Sequence, residues 1–258
     1  FAQIPYEWGG RVEYGPPYHV HTFSLYFPPD KYYATHPEYY SLSNGKRIAN
    51  GQLCLTNKEM QKEWISKMKE FIRTSYAQAD AAGVPRPKMF SISQNDWLGS
   101  CECDNCKAIF DKEGHSGLAL TFVNEVADEI KKEYPDVLID TLAYSFYQVP
   151  PKNVKPRDNV EIRFCDDPGD VMHAAVHKNN IKGYEYLKEW AKITKHLRIW
   201  EYAVIYSPNL PTPTQLDLSA DLNAYKKLGV EGIFYEQENM LTTDMWDMKT
   251  WMEAKLME

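Results

Sequence analysis

Two spacings of apolar residues alternate along the chain. Short apolar runs bounded by Pro, Gly, Asn or Asp read as strands, and the segments between them carry apolar residues at i, i+3, i+4 and i+7, the spacing of one helix face. Six runs read as strands: 19–27, 89–94, 137–144, 160–165, 197–202 and 230–236. Between them, Thr56-Asn57 caps a helix whose face is Met60, Trp64, Ile65, Met68, Phe71 and Ile72, running to about Arg73. Ser116 caps a second, striped by Leu118, Phe122, Val123, Val126 and Ile130 and ending near Tyr134-Pro135. Segments 184–195, 217–228 and 244–257 complete the helices, while residues 1–18 and the Tyr-rich stretch 30–56 read as irregular. A structureless stretch as long as the latter is uncommon in a compact domain unless it carries function.

Strand followed by helix, repeated, implies βα units and a parallel sheet. Nearly every strand ends in polar or aromatic residues, which favours an α/β fold of the (β/α)8 TIM-barrel type with its site on the C-terminal face. Six strands leave two to be found before Phe1. The chain is therefore expected to be a single barrel domain, residues 1–258, taken from a longer protein, and the opening Phe1-Ala2-Gln3 in place of Met agrees.

The stretch Lys88–Cys106, KMFSISQNDWLGSCECDNC, organises the rest. A buried strand delivers Asn95, Asp96 and Trp97 to one rim, and Cys101, Cys103 and Cys106 follow as C-x-C-x2-C. With His115, Cys165 or another nearby group as fourth ligand, the cysteines suit a structural zinc. Reduced thiols, or one Cys101–Cys106 bridge, explain the same pattern. The other strand ends carry Tyr144, Asp166, Asp167, Trp200, Glu201, Tyr202, Glu236 and Gln237. His19 and His21, two residues apart on the first strand, would share a face and could meet substrate hydroxyls or a metal. Several carboxylates among aromatics on one rim suit glycoside hydrolysis, in which one acid protonates the leaving oxygen and a second group meets the oxocarbenium charge. Asp96 and Glu236 are the leading catalytic candidates, with Glu201 in reserve. His19, His21, Asn95, Trp97, Tyr144, Trp200, Tyr202 and Gln237 are candidates for substrate contact.

Composition narrows the partners. A formal charge of -7 and no Lys/Arg-rich run argue against nucleic acid and anionic membranes. There is no apolar run long enough to span a bilayer and no N-terminal export signal. Aromatics at 14%, with 18 Tyr and 7 Trp, suit stacking on sugar rings as well as core packing. Five cysteines in 258 residues do not read as a disulfide framework. G-x-S-x-G, H-E-x-x-H and a phosphate-binding Gly loop are absent.

Taken in order, HTFSLYFPPDKYYATHPEYYSL, QLCLTN, SISQNDWLGSCECDNC, HSG, YPDVLIDTLAYSF, PPKNVKPRDNV, IWEY and GIFYEQ resemble the bacterial family known as domain of unknown function 4838. That family overlaps glycoside hydrolase family 163, which includes endo-β-N-acetylglucosaminidases that cut N-glycans. The resemblance spans nearly the whole chain. It departs at 165–183, CDDPGDVMHAAVHKNNIKG, where a Cys-rich segment is expected. It implies a secreted, periplasmic or surface enzyme of glycan-degrading bacteria, with an α/β domain preceding the barrel. It also implies retaining hydrolysis assisted by the substrate's 2-acetamido group, needing no cofactor, with Asp96 and Glu236 in the matching motifs. The alternatives are a non-catalytic carbohydrate-binding barrel and a glycosidase of other specificity, such as an α-glucuronidase-like enzyme.

Overall fold

The computed structural model describes residues 14–17, 20–166, 173–202, 214–236 and 245–257. In chain order the elements are α1 (Phe23–Tyr26), α2 (Pro29–Tyr32), β1 (Leu42–Ser43), β2 (Lys46–Arg47), α3 (Lys58–Ala82), β3 (Met89–Ser91), α4 (Asp104–Lys131), β4 (Leu138–Ala143), β5 (Val160–Cys165), α5 (Ile181–Ile193), β6 (His196–Tyr202), α6 (Leu218–Lys227), β7 (Gly232–Glu236) and α7 (Trp246–Met257). Strands β3 to β7 form one sheet in sequence order, and β1–β2 is a small antiparallel hairpin. This is an α/β fold with βα repeats, as the periodicity predicts. Two compact units are distinguished: residues 1–142 with 151–161, and residues 143–150 with 162–258.

In the first unit, β3 pairs in parallel with β4, Ser91 opposite Asp140. Helix α3 starts where its cap predicts, with Asn57 Oδ1 accepting from the Met60 amide at 2.9 Å. It runs nine residues past the expected end at Arg73, stopping only where Gly83 takes a left-handed φ of 65°. Its buried stripe centres on Trp64, which stacks on Tyr26 at 4.1 Å and meets Phe23, Phe27 and Phe122 edge-on or tilted at 5.3–5.6 Å. The helix expected from Ser116 starts earlier, at Asp104, and is interrupted at Gly114 (φ 80°, ψ -177°), so Ser116 opens only its second segment.

Of the strand expected over 19–27, the described residues 20–27 form no part. Residues 23–26 are helical, because Phe23, Tyr26 and Phe27 fall at i, i+3 and i+4 and that spacing packs all three around Trp64. The segment ahead of them is fixed by Thr22, whose hydroxyl donates to Ser91 O at 3.1 Å and accepts from the Ser93 amide at 2.9 Å. Within the expected irregular stretch, α2, the β1–β2 hairpin and a 3-10 turn at Pro37–Tyr39 provide short elements.

In the second unit, β6 pairs in parallel with β7 over five residues, Trp200 opposite Phe234, Glu201 opposite Tyr235 and Tyr202 opposite Glu236. The two strands and helix α6, which follows β6, match their expected positions within two residues. Among the described residues no helix is long and apolar enough to cross a membrane.

Trp64→Ala should cost about 3–5 kcal/mol, the usual range for emptying a large aromatic site in a packed core. Denaturant unfolding followed by circular dichroism measures it, and a loss below about 1 kcal/mol would show that the cluster is not the core of the first unit.

Candidate functional site

The site is built from the end of β3. Because this strand stops at Ser91, the backbone that continues through Asn95 needs partners other than a sheet neighbour. Ile92 N still donates to Asp140 O at 2.8 Å, and beyond it side chains take over. Gln52, 1% exposed, accepts from the Asn95 amide at 2.9 Å and donates to the carbonyls of Asn95 (2.7 Å) and Trp97 (3.0 Å). Asn95 in turn donates to Gly51 O at 2.8 Å and accepts from the Ser24 amide at 3.1 Å. The Trp97 ring lies against Gly51 and Gly99, and a Cβ on Gly99 would approach it to 2.4 Å. Asp96 is left exposed between two anchored neighbours. Asn95 thus serves as a bracket for the loop as much as a group for substrate. His21, at φ 50°, places Nδ1 2.8 Å from Gln94 O, so it too is tied to this loop rather than standing on a strand face.

Past the loop, Cys101, Cys103 and Cys106 converge with Cys54, a residue outside the sequence-derived set. The four sulfurs lie within 4.8 Å of one another, and no disulfide joins them. Cys54 Sγ stands 3.6 Å from Cys103 Sγ and 3.8 Å from Cys106 Sγ. The Leu42 amide donates to Cys101 Sγ at 3.3 Å, and Arg47 reaches the same sulfur at 3.7 Å. Contacts from Cys101 and then Cys106 draw the Cys54 thiol far below its ordinary value, against the effect of burial. Contacts with Cys101 and Cys54, together with burial, drive Cys106 far above it. For Cys101 the contact with Cys106 lowers the value, but that with Cys54 and burial outweigh it, and it is pushed up to about 11. Of these three thiols, Cys54 is the one whose surroundings favour the charged form. The expected fourth ligands lie elsewhere. His115 packs edge-on against Phe110 at 4.5 Å, and Cys165 belongs to β5.

In the second unit, strand alternation separates residues that were expected to share a pocket. Trp200, Tyr202, Phe234 and Glu236 project from one face, where Trp200 Nε1 donates to Glu236 Oε2 at 2.8 Å and the Trp200 and Phe234 rings meet at 4.5 Å. The Arg163 guanidinium, almost fully buried, lies 5.6 Å from the Trp200 ring. Glu201 projects from the opposite face. Its carboxylate accepts from the Tyr225 hydroxyl of α6, which also lies 3.4 Å from Asp166 Oδ2. Burial first, then the Asp166 carboxylate, raises the Glu201 carboxyl well above the usual range, outweighing the Tyr225 bond. Burial likewise lifts Asp221 to about 7, although its Oδ1 accepts from the Ala175 amide at 2.6 Å.

The model of the family called domain of unknown function, DUF4838, matches residues 6–257. The chain belongs to the DUF4838 family. No curated protein matches it. Among solved structures it is similar to the cellulose synthase subunit Z of Clostridioides difficile, at 17% identity over 79% of this chain and 70% of that one, with a TM-score of 0.44. It is similar as well to a sugar phosphate isomerase/epimerase of Parabacteroides distasonis (13% identity, 83% and 70% covered, TM-score 0.40). A third likeness is to the catalytic domain of endoglucanase Cel5A of Thermobifida fusca (13%, 78% and 77%, 0.35). At these values the similarities are too remote to carry a conclusion on fold, substrate or mechanism.

For this DUF4838 protein, then, Asp96, Asn95, Trp97 and His21 belong to the first unit, and Tyr144, Trp200, Glu201, Tyr202 and Glu236 to the second. Tyr144 directly follows β4 and is half-buried. His19, Asp167 and Gln237 lie outside the described residues. Charged groups buried within the strands were not anticipated. In the first unit the Tyr14 hydroxyl lies 3.2 Å from Asp140 Oδ1 and 3.5 Å from Glu161 Oε1, and both carboxylates are fully buried. Arg163, in the second, is another, 2% exposed. For Glu161 and Arg163 the signal was present in V-E-I-R-F-C, where charges alternate with apolar residues in a strand buried along its whole length.

Raised carboxyl values give a direction to the stability profile. A folded-state pKa above the unfolded one means that the folded chain holds a proton the unfolded chain has lost. For Asp221 this stabilisation is complete below about pH 4 and is lost as pH rises through about 7. Asp221→Asn should therefore melt a few °C higher than the parent at pH 8, with the difference vanishing near pH 4. Thermal melts across that range check it, and a constant offset at every pH would remove Asp221 as the titrating group.

Proposed function

We propose that this chain is the catalytic domain of a retaining glycoside hydrolase acting on N-acetylglucosamine-containing glycans of the N-glycan type. The observation that carries the reading is the Glu236 carboxylate at the end of β7, oriented by the Trp200 indole at 2.8 Å and flanked on the same face by Phe234 and Tyr202. A carboxylate set against an aromatic surface is what a sugar ring requires. The ring's C–H face stacks on the aromatic while the acid meets the glycosidic oxygen or the developing positive charge. The exposed Asp96, on a loop whose neighbours are tied down by Gln52, supports the second carboxylate of the pair. The (β/α)8 barrel is part of the same proposal, because βα units ending in polar groups are the building pattern of that fold.

In the proposed reaction the 2-acetamido oxygen attacks the anomeric carbon as the glycosidic C–O bond breaks. One carboxyl gives its proton to the departing oxygen. The other, as carboxylate, orients the amide and balances its positive charge. A water, losing its proton to the first group, then opens the cyclic intermediate with retention. Asp96 and Glu236 take these two roles. Glu201, on the face packed against α6, is left with the support of that face.

The full-length protein, incubated with an N-glycoprotein, should release oligosaccharide. Asp96→Asn and Glu236→Gln should each lower kcat/KM by about 10²–10⁴-fold with the circular dichroism spectrum unchanged, and the double variant should lose little more than either single one. Glycan binding without release by the parent protein would assign it to the non-catalytic class. Full activity of both single variants would move the chemistry to other residues.

A further inference from the structure

We propose that Cys54, Cys101, Cys103 and Cys106 form a structural zinc site that locks the loop following β3. Four thiolates complete a tetrahedral shell without water or substrate, which marks a structural site rather than a catalytic one. The spacing fits. Zinc–thiolate bonds of about 2.3 Å in a tetrahedron put the sulfurs about 3.8 Å apart. Cys54 Sγ lies 3.6 Å from Cys103 Sγ and 3.8 Å from Cys106 Sγ, and all four sulfurs lie within 4.8 Å of one another. A disulfide would need about 2.05 Å, and all four thiols are free.

The surroundings are those of a negatively charged sulfur cluster. The Leu42 amide and the Arg47 guanidinium are directed at Cys101, and the Thr56 hydroxyl lies 3.1 Å from Cys106 Sγ. Four thiolates around one Zn²⁺ carry a net charge of -2. Hydrogen-bond donors and a nearby guanidinium offset that charge. Thr56 and Arg47, with Cys54 and Cys103, line an open depression of about 320 Å³, which gives the ion a way in. On binding, the thiols that are still protonated release their protons to solvent, so zinc affinity must fall as pH falls.

The consequence reaches Asp96 through the chain. Cys54 lies two residues from Gln52, the side chain that holds Asn95 and Trp97, and Cys101 lies four residues beyond Trp97. Joining Cys54 to Cys101, Cys103 and Cys106 therefore fixes both ends of the bracket around Asp96 at one point. Cys54 and the other three are positioning residues in this scheme and touch no reacting atom.

The test uses the whole chain purified under reducing conditions without chelator. Elemental analysis should give about one zinc per chain. Stripping the metal should lower Tm by about 10 °C or more, and zinc should restore it. Co²⁺ added to the stripped protein should give the strong sulfur-to-cobalt absorption of a tetrathiolate. Amide exchange at Asn95–Trp97 should be at least about tenfold faster without metal, while Val123–Ala127 in the middle of α4 should be unchanged. Cys54→Ser should lose the cobalt absorption and His115→Ala should keep it. If Cys54→Ser fails to fold, the stripped parent protein supplies the same comparison. Stripped protein that takes up neither ion, or a Cys54→Ser variant that binds zinc as the parent does, overturns the site. Unchanged exchange at Asn95–Trp97 after stripping overturns the locking role. None of these readouts depends on glycan release, so the zinc site and the glycosidase reading stand or fall separately.

Discussion

A buried backbone must have every polar group paired, and at β3 that requirement shapes everything around it. A three-residue strand cannot satisfy the chain that continues beyond it, yet Ile92, Ser93 and Gln94 remain buried. The Thr22 hydroxyl donates to Ser91 O and accepts from the Ser93 amide, and the Phe23 amide donates to Ser93 O at 3.2 Å. Gln52 pairs with both sides of Asn95. The amide of Gln52 mimics a neighbouring strand for one residue, and the Thr22 hydroxyl does the same between Ser91 and Ser93. Their removal would leave buried donors and acceptors unpaired, at about 1–3 kcal/mol each. The segments 20–27 and 40–56 are thereby committed to the end of β3. This is why a stretch without long regular elements still buries Thr22, Phe23, Tyr26, Phe27, Tyr40, Ser41 and the run 52–55.

The same loop shows how rigidity and exposure are combined. Asn95 and Trp97 make the contacts, and Asp96 between them faces solvent. A functional carboxylate benefits from this arrangement, because the backbone that carries it is held in place while the side chain stays within reach of a ligand. The cysteine cluster lies where it can add to that constraint. A link between residue 54 and residues 103 and 106 closes a loop of about fifty residues, and long loops gain most from closure.

In the second unit, one step along β6 separates two electrostatic environments. Trp200 and Tyr202 share a face with Glu236, whereas Glu201 turns toward α6 and joins Asp166, Asp221 and Tyr225. Carboxylates crowded together away from water hold their protons more tightly, because each resists the charge of the next. Such a group contributes a pH-dependent stability to the sheet–helix interface. Glu236, anchored by an indole N–H, is oriented instead by a donor that carries no charge of its own.

The elements that could be read directly are those whose pattern is long and local. Helix α3 shows its stripe and its Asn57 cap, and the Val160–Cys165 strand has its expected bounds, because period and capping are decided by residues close together in the chain. The extension of α3 to Gly83 and the merging of α4 across Gly114 were harder to read, since both follow from where a left-handed glycine falls and not from hydrophobic spacing. Residues 19–27 alternate as a strand would, but Phe23, Tyr26 and Phe27 also stand at helical spacing, and the choice was made by Trp64 and the end of β3, neither of which is near them in the chain. The same holds for the site. The Asn95–Asp96–Trp97 rim and three of the four cysteines are visible as a contiguous motif. Cys54, Gln52 and the turning of Glu201 away from Glu236 exist only after distant segments have packed. Local periodicity and capping are written in neighbouring residues, but which side chain completes a cluster, and which face of a strand meets a helix, is decided by long-range packing.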